Sequence, residues 1–99
     1  MYESLEKIPE DHIASRAAIN GVGVAVVINY ELYEESKPKN LKLYDVRGRL
    51  IFSIEPPEYS DAYTSVHVSG EKLYATTYSG WSMEINPETG VATKFEFLK

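Results

Sequence analysis

Four short runs of turn chemistry recur along the chain and leave only strand-length segments between them: Asn20-Gly21, Arg47-Gly48, Gly70-Glu71 and Pro87-Glu88-Thr89-Gly90. An Asn-Gly pair between β-prone runs predicts a type I′ hairpin, because both residues tolerate positive φ. Glycine in first place at Gly70-Glu71 suits type II′. In Pro87–Gly90 the proline presets the turn and the glycine supplies a left-handed position. Flanking runs rich in Val, Ile, Tyr and Thr then read as eight strands: 12–19, 22–32, 41–46, 49–54, 63–69, 72–79, 82–86 and 91–98. Val22 to Ile28 is apolar on both faces, which predicts a strand covered on both sides and therefore central.

Two polar, proline-bearing segments interrupt this pattern. Glu34 to Asn40 (EESKPKN) and Glu55 to Ala62 (EPPEYSDA) read as exposed loops, since adjacent prolines cannot donate to a ladder. Glu3 to Glu10 reads as a turn of helix ended near Pro9. The fold expected is all-β, eight antiparallel strands in two four-stranded hairpin pairs, half-propeller or sandwich-like. Ninety-nine residues suit one domain, 1–99, made of units 12–54 and 63–98. Sliding the chain by 49 residues sets Ile19-Asn20-Gly21 on Val68-Ser69-Gly70 and Val24-Ala25-Val26 on Leu73-Tyr74-Ala75, so the two units read as a duplication.

The stretch KLYATTYSGWSMEINPETGVATKFEF, Lys72 to Phe97, resembles a blade of a β-propeller of the quinoprotein-like or WD-like kind, with a LYAT strand and INPETG as the tight turn between the two outer strands. The resemblance covers Tyr63 to Phe97 well and His12 to Ile54 loosely. A closed propeller needs about four to eight blades. With material for two, the chain is expected to be a half-propeller, a sandwich-like relative, or part of a larger assembly. The resemblance implies a fold and no activity.

Catalytic chemistry finds little purchase. Of the two histidines, His12 adjoins Glu10 and Asp11, whose side chains point to opposite faces of an extended segment. His67 sits mid-strand with Ser65 and Ser69 on its own face, but without the third orienting group that nucleophilic catalysis needs. Glu55, Glu58 and Asp61 do not match the spacing of a 12-residue calcium loop. Gly21-Val22-Gly23 lacks the helix N-terminus of a phosphate cradle. The expectation is a non-enzyme with no cofactor and no metal. Tyr74, Tyr78 and Trp81 invite a carbohydrate reading through ring stacking, but filling the gap between sheets is the favoured account.

Charge then narrows the partner. Fifteen acidic against ten basic residues give −5, which disfavours nucleic acid, whose phosphates call for a cationic surface. There is no cysteine, no apolar run long enough to span a bilayer, and an acidic start unlike a secretion signal, so a cytoplasmic location is expected and no membrane association. Two acidic, tyrosine-bearing segments adjoin the long loops, where a rigid sheet tends to place binding residues. They nominate Glu31, Tyr33, Glu34, Glu35, Glu55, Glu58, Tyr59, Asp61 and Tyr63 as a surface for a basic protein. In character, though without a motif, the chain is similar to small acidic bacterial immunity proteins, which neutralise toxins such as cationic nucleases. The alternative is a homo-oligomer, a self-assembling propeller-type or carbohydrate-binding module.

Overall fold

The computed structural model describes residues 2–98. Strands β1 (Ile13–Ile19), β2 (Gly23–Ile28), β3 (Leu41–Asp45) and β4 (Leu50–Ile54) form one antiparallel sheet in the order β1-β2-β3-β4. Strands β5 (Tyr63–Ser69), β6 (Lys72–Thr77), β7 (Trp81–Ile85) and β8 (Ala92–Phe97) form a second in the order β5-β6-β7-β8. The expected all-β architecture of eight antiparallel strands in two sandwich-like sheets is therefore present, and β2 is an interior strand. Its residues Ala25 to Ile28 are fully buried.

The turns differ in detail. Only Ser60, among the described non-glycine residues, has a positive φ, so Asn20 does not adopt the type I′ geometry. Instead Val22 N–H closes on Ile19 C=O at 3.0 Å with Gly21 at φ 79°, and Ile19 pairs with Gly23 across three residues. The short Ser69–Lys72 turn does carry its positive φ, 64°, on Gly70, as type II′ requires. The second hairpin is a residue longer than Arg47-Gly48: Gly48 N–H bonds Asp45 C=O, and the Asp45 carboxylate accepts the N–H groups of Arg47 and Arg49. Asn86 holds the last turn in the same manner, accepting from Glu88 and Thr89. Gly23 has no tolerance for a side chain, since a Cβ there would lie 1.8 Å from the Tyr44 carbonyl oxygen.

The two sheets repeat one another's irregularities. Register slips between Ile13 and Ser15 in β1 and between Tyr63 and Ser65 in β5, an offset of 50, which becomes 49 beyond the shorter turn. The last strands match too, for Ile51 is skipped opposite β3 and Phe95 opposite β7.

Alternation sends Ala25, Val27, Leu41 and Leu43 from one sheet against Val66, Leu73, Ala75, Met83 and Ile85 from the other. The opposite face of the first sheet is also covered. Residues 2–8 cross it, packing Ile8, Tyr2 and Leu5 on Val26, Ile28 and Tyr44. The chain before β1 holds two 3-10 turns, Leu5–Lys7 and Glu10–His12, on either side of Pro9, so His12 precedes β1 and does not begin it. It also closes the β4 edge: Ser4 bridges Arg49, Leu5 N–H reaches Gly48 C=O, and Leu50 N–H reaches Glu3 C=O.

Two polar side chains join the sheets where β1 and β5 abut. The Ser15 hydroxyl bonds both the C=O (3.3 Å) and the N–H (3.1 Å) of Val66. Asn40, fully buried, donates to the carbonyls of Ile28 (2.9 Å) and Tyr63 (2.8 Å) and accepts from Tyr63 N–H (3.1 Å). Removing a buried partner leaves the remaining polar groups dry and unsatisfied. Asn40→Ala is therefore expected to cost about 2–4 kcal/mol, read as a lowered denaturant midpoint with an unchanged slope. A loss below about 0.5 kcal/mol would contradict the role assigned to this side chain.

Candidate functional site

The two long loops meet at one end of the sandwich. After β2 the Asn29 side chain accepts the N–H of Glu31 at 3.0 Å and caps a 3-10 turn, Tyr30–Leu32, where the sequence had suggested a continuing strand. Ser60, at φ 59°, bends the second loop back so that its N–H bonds Ser36 C=O at 2.7 Å. Lys37 crosses between them, 3.3 Å from the Glu55 carboxylate and 5.3 Å from the centroid of the Tyr59 ring. The acidic, tyrosine-bearing segments thus form one surface.

At their junction lies a cleft of about 230 Å³ whose walls include Tyr30, Tyr33, Tyr78, Pro38 and Ala62, with Glu35 among its polar lining. The Tyr30 and Tyr78 rings meet edge to face, centroids 5.7 Å apart at 64°. Tyr78 N–H bonds Ala62 C=O and so ties the end of β6 to the second loop. Glu31, Glu34 and Glu35 are exposed and belong to no ion pair among the described residues.

The other nominated residues divide. Tyr59 is 77% exposed, with only the Lys37 ammonium over its ring among the described contacts. Glu55 and Glu58 are exposed but engaged, Glu55 with Lys37, and Glu58 with the Trp81 indole N–H at 2.9 Å and Lys94 at 3.6 Å. Asp61 and Tyr63 are buried, so neither is available to a partner. Tyr63 fills the inter-sheet core and donates its hydroxyl to Glu55 C=O. The Asp61 carboxylate accepts from the N–H groups of Ala62 and Ser79 and from the Ser79 hydroxyl at 2.6 Å. Burial pushes the Asp61 carboxyl up, but the hydrogen bonds from Ser79, Ala62 and Thr77 together outweigh it and hold the group below its ordinary range.

Tyr33 is half-buried beneath the loop, stacked on Tyr2, and its hydroxyl is buried without a hydrogen-bond partner among the described residues. Burial, with smaller contributions from Tyr2 and Glu35, pushes its phenol up to about 12. Tyr30 and Tyr78, absent from the sequence-based nomination, line the cleft because the strands before them end early; the cap at Asn29 was the legible signal for the first.

Residues 8–97 match a domain of unknown function, DUF7957. The chain is a member of the DUF7957 family. The matched span runs through all eight strands and both loops, so the cleft lies within the DUF7957 region. No curated protein matches the chain. No solved structure matches it either.

Elsewhere, the His67 ring lies flat on Tyr74 with centroids 5.6 Å apart, and Tyr74 in turn meets Phe95. That places Tyr74 on the outer face of the second sheet, a correction to its expected place between the sheets; of the three aromatics once assigned there, Trp81 alone packs against the inter-sheet core. No group of three or more His, Asp or Glu among the described residues could hold a metal ion, and no helix among them is long and apolar enough to cross a membrane.

Two expectations follow. Asp61→Asn is expected to cost about 1.5–3 kcal/mol at neutral pH, the worth of hydrogen bonds to a charged group. Because the folded-state value is depressed, this stabilisation is complete above the unfolded value of about 3.9. It disappears as pH falls through the folded value, so the wild type should lose its advantage over the Asn variant in acid melts. Tyr33→Phe, by contrast, removes an unbonded buried hydroxyl, so its Tm is expected to hold or rise, by up to about 1 kcal/mol of stability. A clear drop in Tm would mean that the hydroxyl has a partner in solution.

Proposed function

We propose that this protein is a non-catalytic protein-binding domain, an immunity or inhibitor protein that neutralises a cationic toxin, for example a nuclease, by covering its active site. One observation carries the reading: the two acidic tyrosine loops are fastened into a single surface whose carboxylates at Glu31, Glu34 and Glu35 are exposed and unpaired among the described residues. Tyrosines give large contact area at small entropic cost, and carboxylates steer and orient a basic partner. The net charge of −5 adds attraction at long range. A cytoplasmic location in a bacterium would suit such a role.

The second reading is self-assembly of two or more chains into a propeller-type ring, with a carbohydrate or structural role. Two blade-like four-stranded meanders favour it. Ring closure, however, would set the outer face of one chain's second sheet on the outer face of another's first, and residues 2–8 already occupy the latter.

The experiment is capture at low salt from lysate of the source organism, followed by titration of the captured protein's own activity with the purified domain. Inhibition that is complete at one equivalent is expected. Reversing Glu31, Glu34 and Glu35 to Lys should weaken the complex at least about tenfold, mostly through slower association, with the gap narrowing as salt rises. Unchanged affinity in that triple variant would remove the surface from the interface. Recovery of only the bait, as a multimer of defined mass, would favour the assembly reading.

A further inference from the structure

We propose that the gap between the far edges of the two sheets binds a small amphipathic carboxylate, its apolar body between the sheets and its acid group at Lys39. The sheets abut along β1 and β5, and the gap lies at the opposite side, between β4 and β8, each an edge strand with a neighbour on one side only. It measures about 620 Å³, within the range of about 300–1,000 Å³ that small-molecule sites occupy. Its floor is apolar, made by Ile54 and Met83 of the inter-sheet core with Ala92 beside them. One end is stopped where Gly90 abuts Phe52, so closely that a Cβ on Gly90 would lie 2.7 Å from the ring. Just past β4, Pro56 and Pro57 add a stiff wall that has no N–H groups to satisfy.

Charge fixes the class of ligand. The chain carries −5 overall, yet the gap is lined by Lys37, Lys39 and Lys94 against the single carboxylate of Glu55. Two of these lysines are engaged, Lys37 with Glu55 at 3.3 Å and Lys94 with Glu58 at 3.6 Å. Lys39 is exposed and belongs to no ion pair among the described residues. The Lys42 ammonium donates to the hydroxyl of Ser53, another lining residue, at 3.0 Å. Burial first, and then the like charge of Lys39, hold Lys42 below its ordinary range, against the opposing pull of Glu35 and Glu3. Positive charge is therefore in excess at Lys39, where an anion relieves the repulsion. Glu55 and Glu58 at the same rim would repel the second charge of a phosphate, so a singly charged carboxylate suits the site. The apolar floor calls for a hydrocarbon body, because an exposed pair with Lys39 alone is screened by water and salt.

The probe is octanoate titrated into the isotope-labelled whole protein below its micelle-forming concentration, with octan-1-ol, octylammonium and octyl phosphate in parallel. Saturable shifts at Ile54, Met83 and Ala92 are expected for octanoate, with octanol bound about two- to fivefold more weakly and octylammonium more weakly still. Lys39→Gln should weaken octanoate by the same factor, the worth of one exposed charge, and leave octanol unchanged. Ala92→Leu narrows the gap from a half-buried edge position and should abolish binding of both. Lys39 is exposed, so Lys39→Gln keeps the fold and decides the test whatever Ala92→Leu does to stability. No saturable shift, shifts confined to other parts of the molecule, octanoate no tighter than octanol, or octanoate affinity indifferent to Lys39→Gln would overturn the proposal. Tighter binding of octyl phosphate would overturn the choice of a carboxylate. A mass of twice the chain in solution, with octanoate unable to reach Ile54 and Met83, would assign the gap to a second copy instead. None of these outcomes depends on what the acidic loops bind.

Discussion

Everything at the loop end of the molecule hangs from the buried side chain of Asn40. It closes the loop that leaves β2 at Ile28, and its amide bonds Tyr63, the residue at which the second loop returns to β5. One side chain therefore fixes the base of both loops and joins the two sheets. A buried amide has no alternative partners in an apolar gap, so its three bonds specify a single relative placement of the sheets. The Ser15 hydroxyl, bonded to both polar groups of Val66, adds a second point on the same seam and resists sliding of β1 along β5.

The internal repetition explains the architecture, and its breakage explains the chemistry. Both sheets are four-stranded meanders with a slip in the first strand and a skipped residue in the last. They differ in what covers their outer faces. The first sheet has Tyr2, Leu5 and Ile8 upon it and a strand edge closed at Ser4. The second leaves His67, Tyr74 and Phe95 uncovered, with Phe95 60% exposed at its bulge. A bulge at an edge strand twists the free edge and hinders pairing with another chain, which counters the exposed Phe95 and Phe97 of β8. The loops differ more than the sheets: β2 and β3 are separated by a long loop, β6 and β7 by a tight turn around Gly80. The cleft exists because only the first unit carries that insertion.

Turn chemistry and alternation made the strands legible, because both are local properties. Gly70, Pro87–Gly90 and the alternating runs about them act within a few residues of chain. What the sequence hid was decided by contacts across the fold. Asn20-Gly21 looks like a two-residue turn, but the pairing of Ile19 with Gly23 requires three residues between the strands. Tyr63 and Asp61 read as loop-edge residues, and burial was settled by a core arriving from the other sheet and by Ser79, eighteen residues away in the chain. Tyr74 read as core because it is aromatic, yet its neighbours Leu73 and Ala75 took the inward positions and alternation left it outside. The acidic segments were recognised by composition, whereas their union through Ser36 and Ser60 depends on the left-handed backbone at Ser60, which serine seldom adopts.

Under the proposed reading, rigidity is what lets that union act as a recognition surface. A flexible acidic loop attracts a cation but loses part of the gain to ordering its own chain on binding. Here the ordering is supplied by folding. The Asn29 cap sets the turn that presents Tyr30, the Ser60–Ser36 bond fixes the loops to one another, and Tyr78 is tethered to Ala62 through the backbone. Asp61 completes the arrangement from beneath by holding Ser79 and Ala62, so a buried carboxylate helps to fix where Tyr78 stands. Lys37 has a similar indirect part. By pairing with Glu55 and lying over Tyr59 it draws the loop's own positive charge to the far side. The charge at the loop end is thus a product of where the fold places its lysines as much as of how many glutamates the sequence contains.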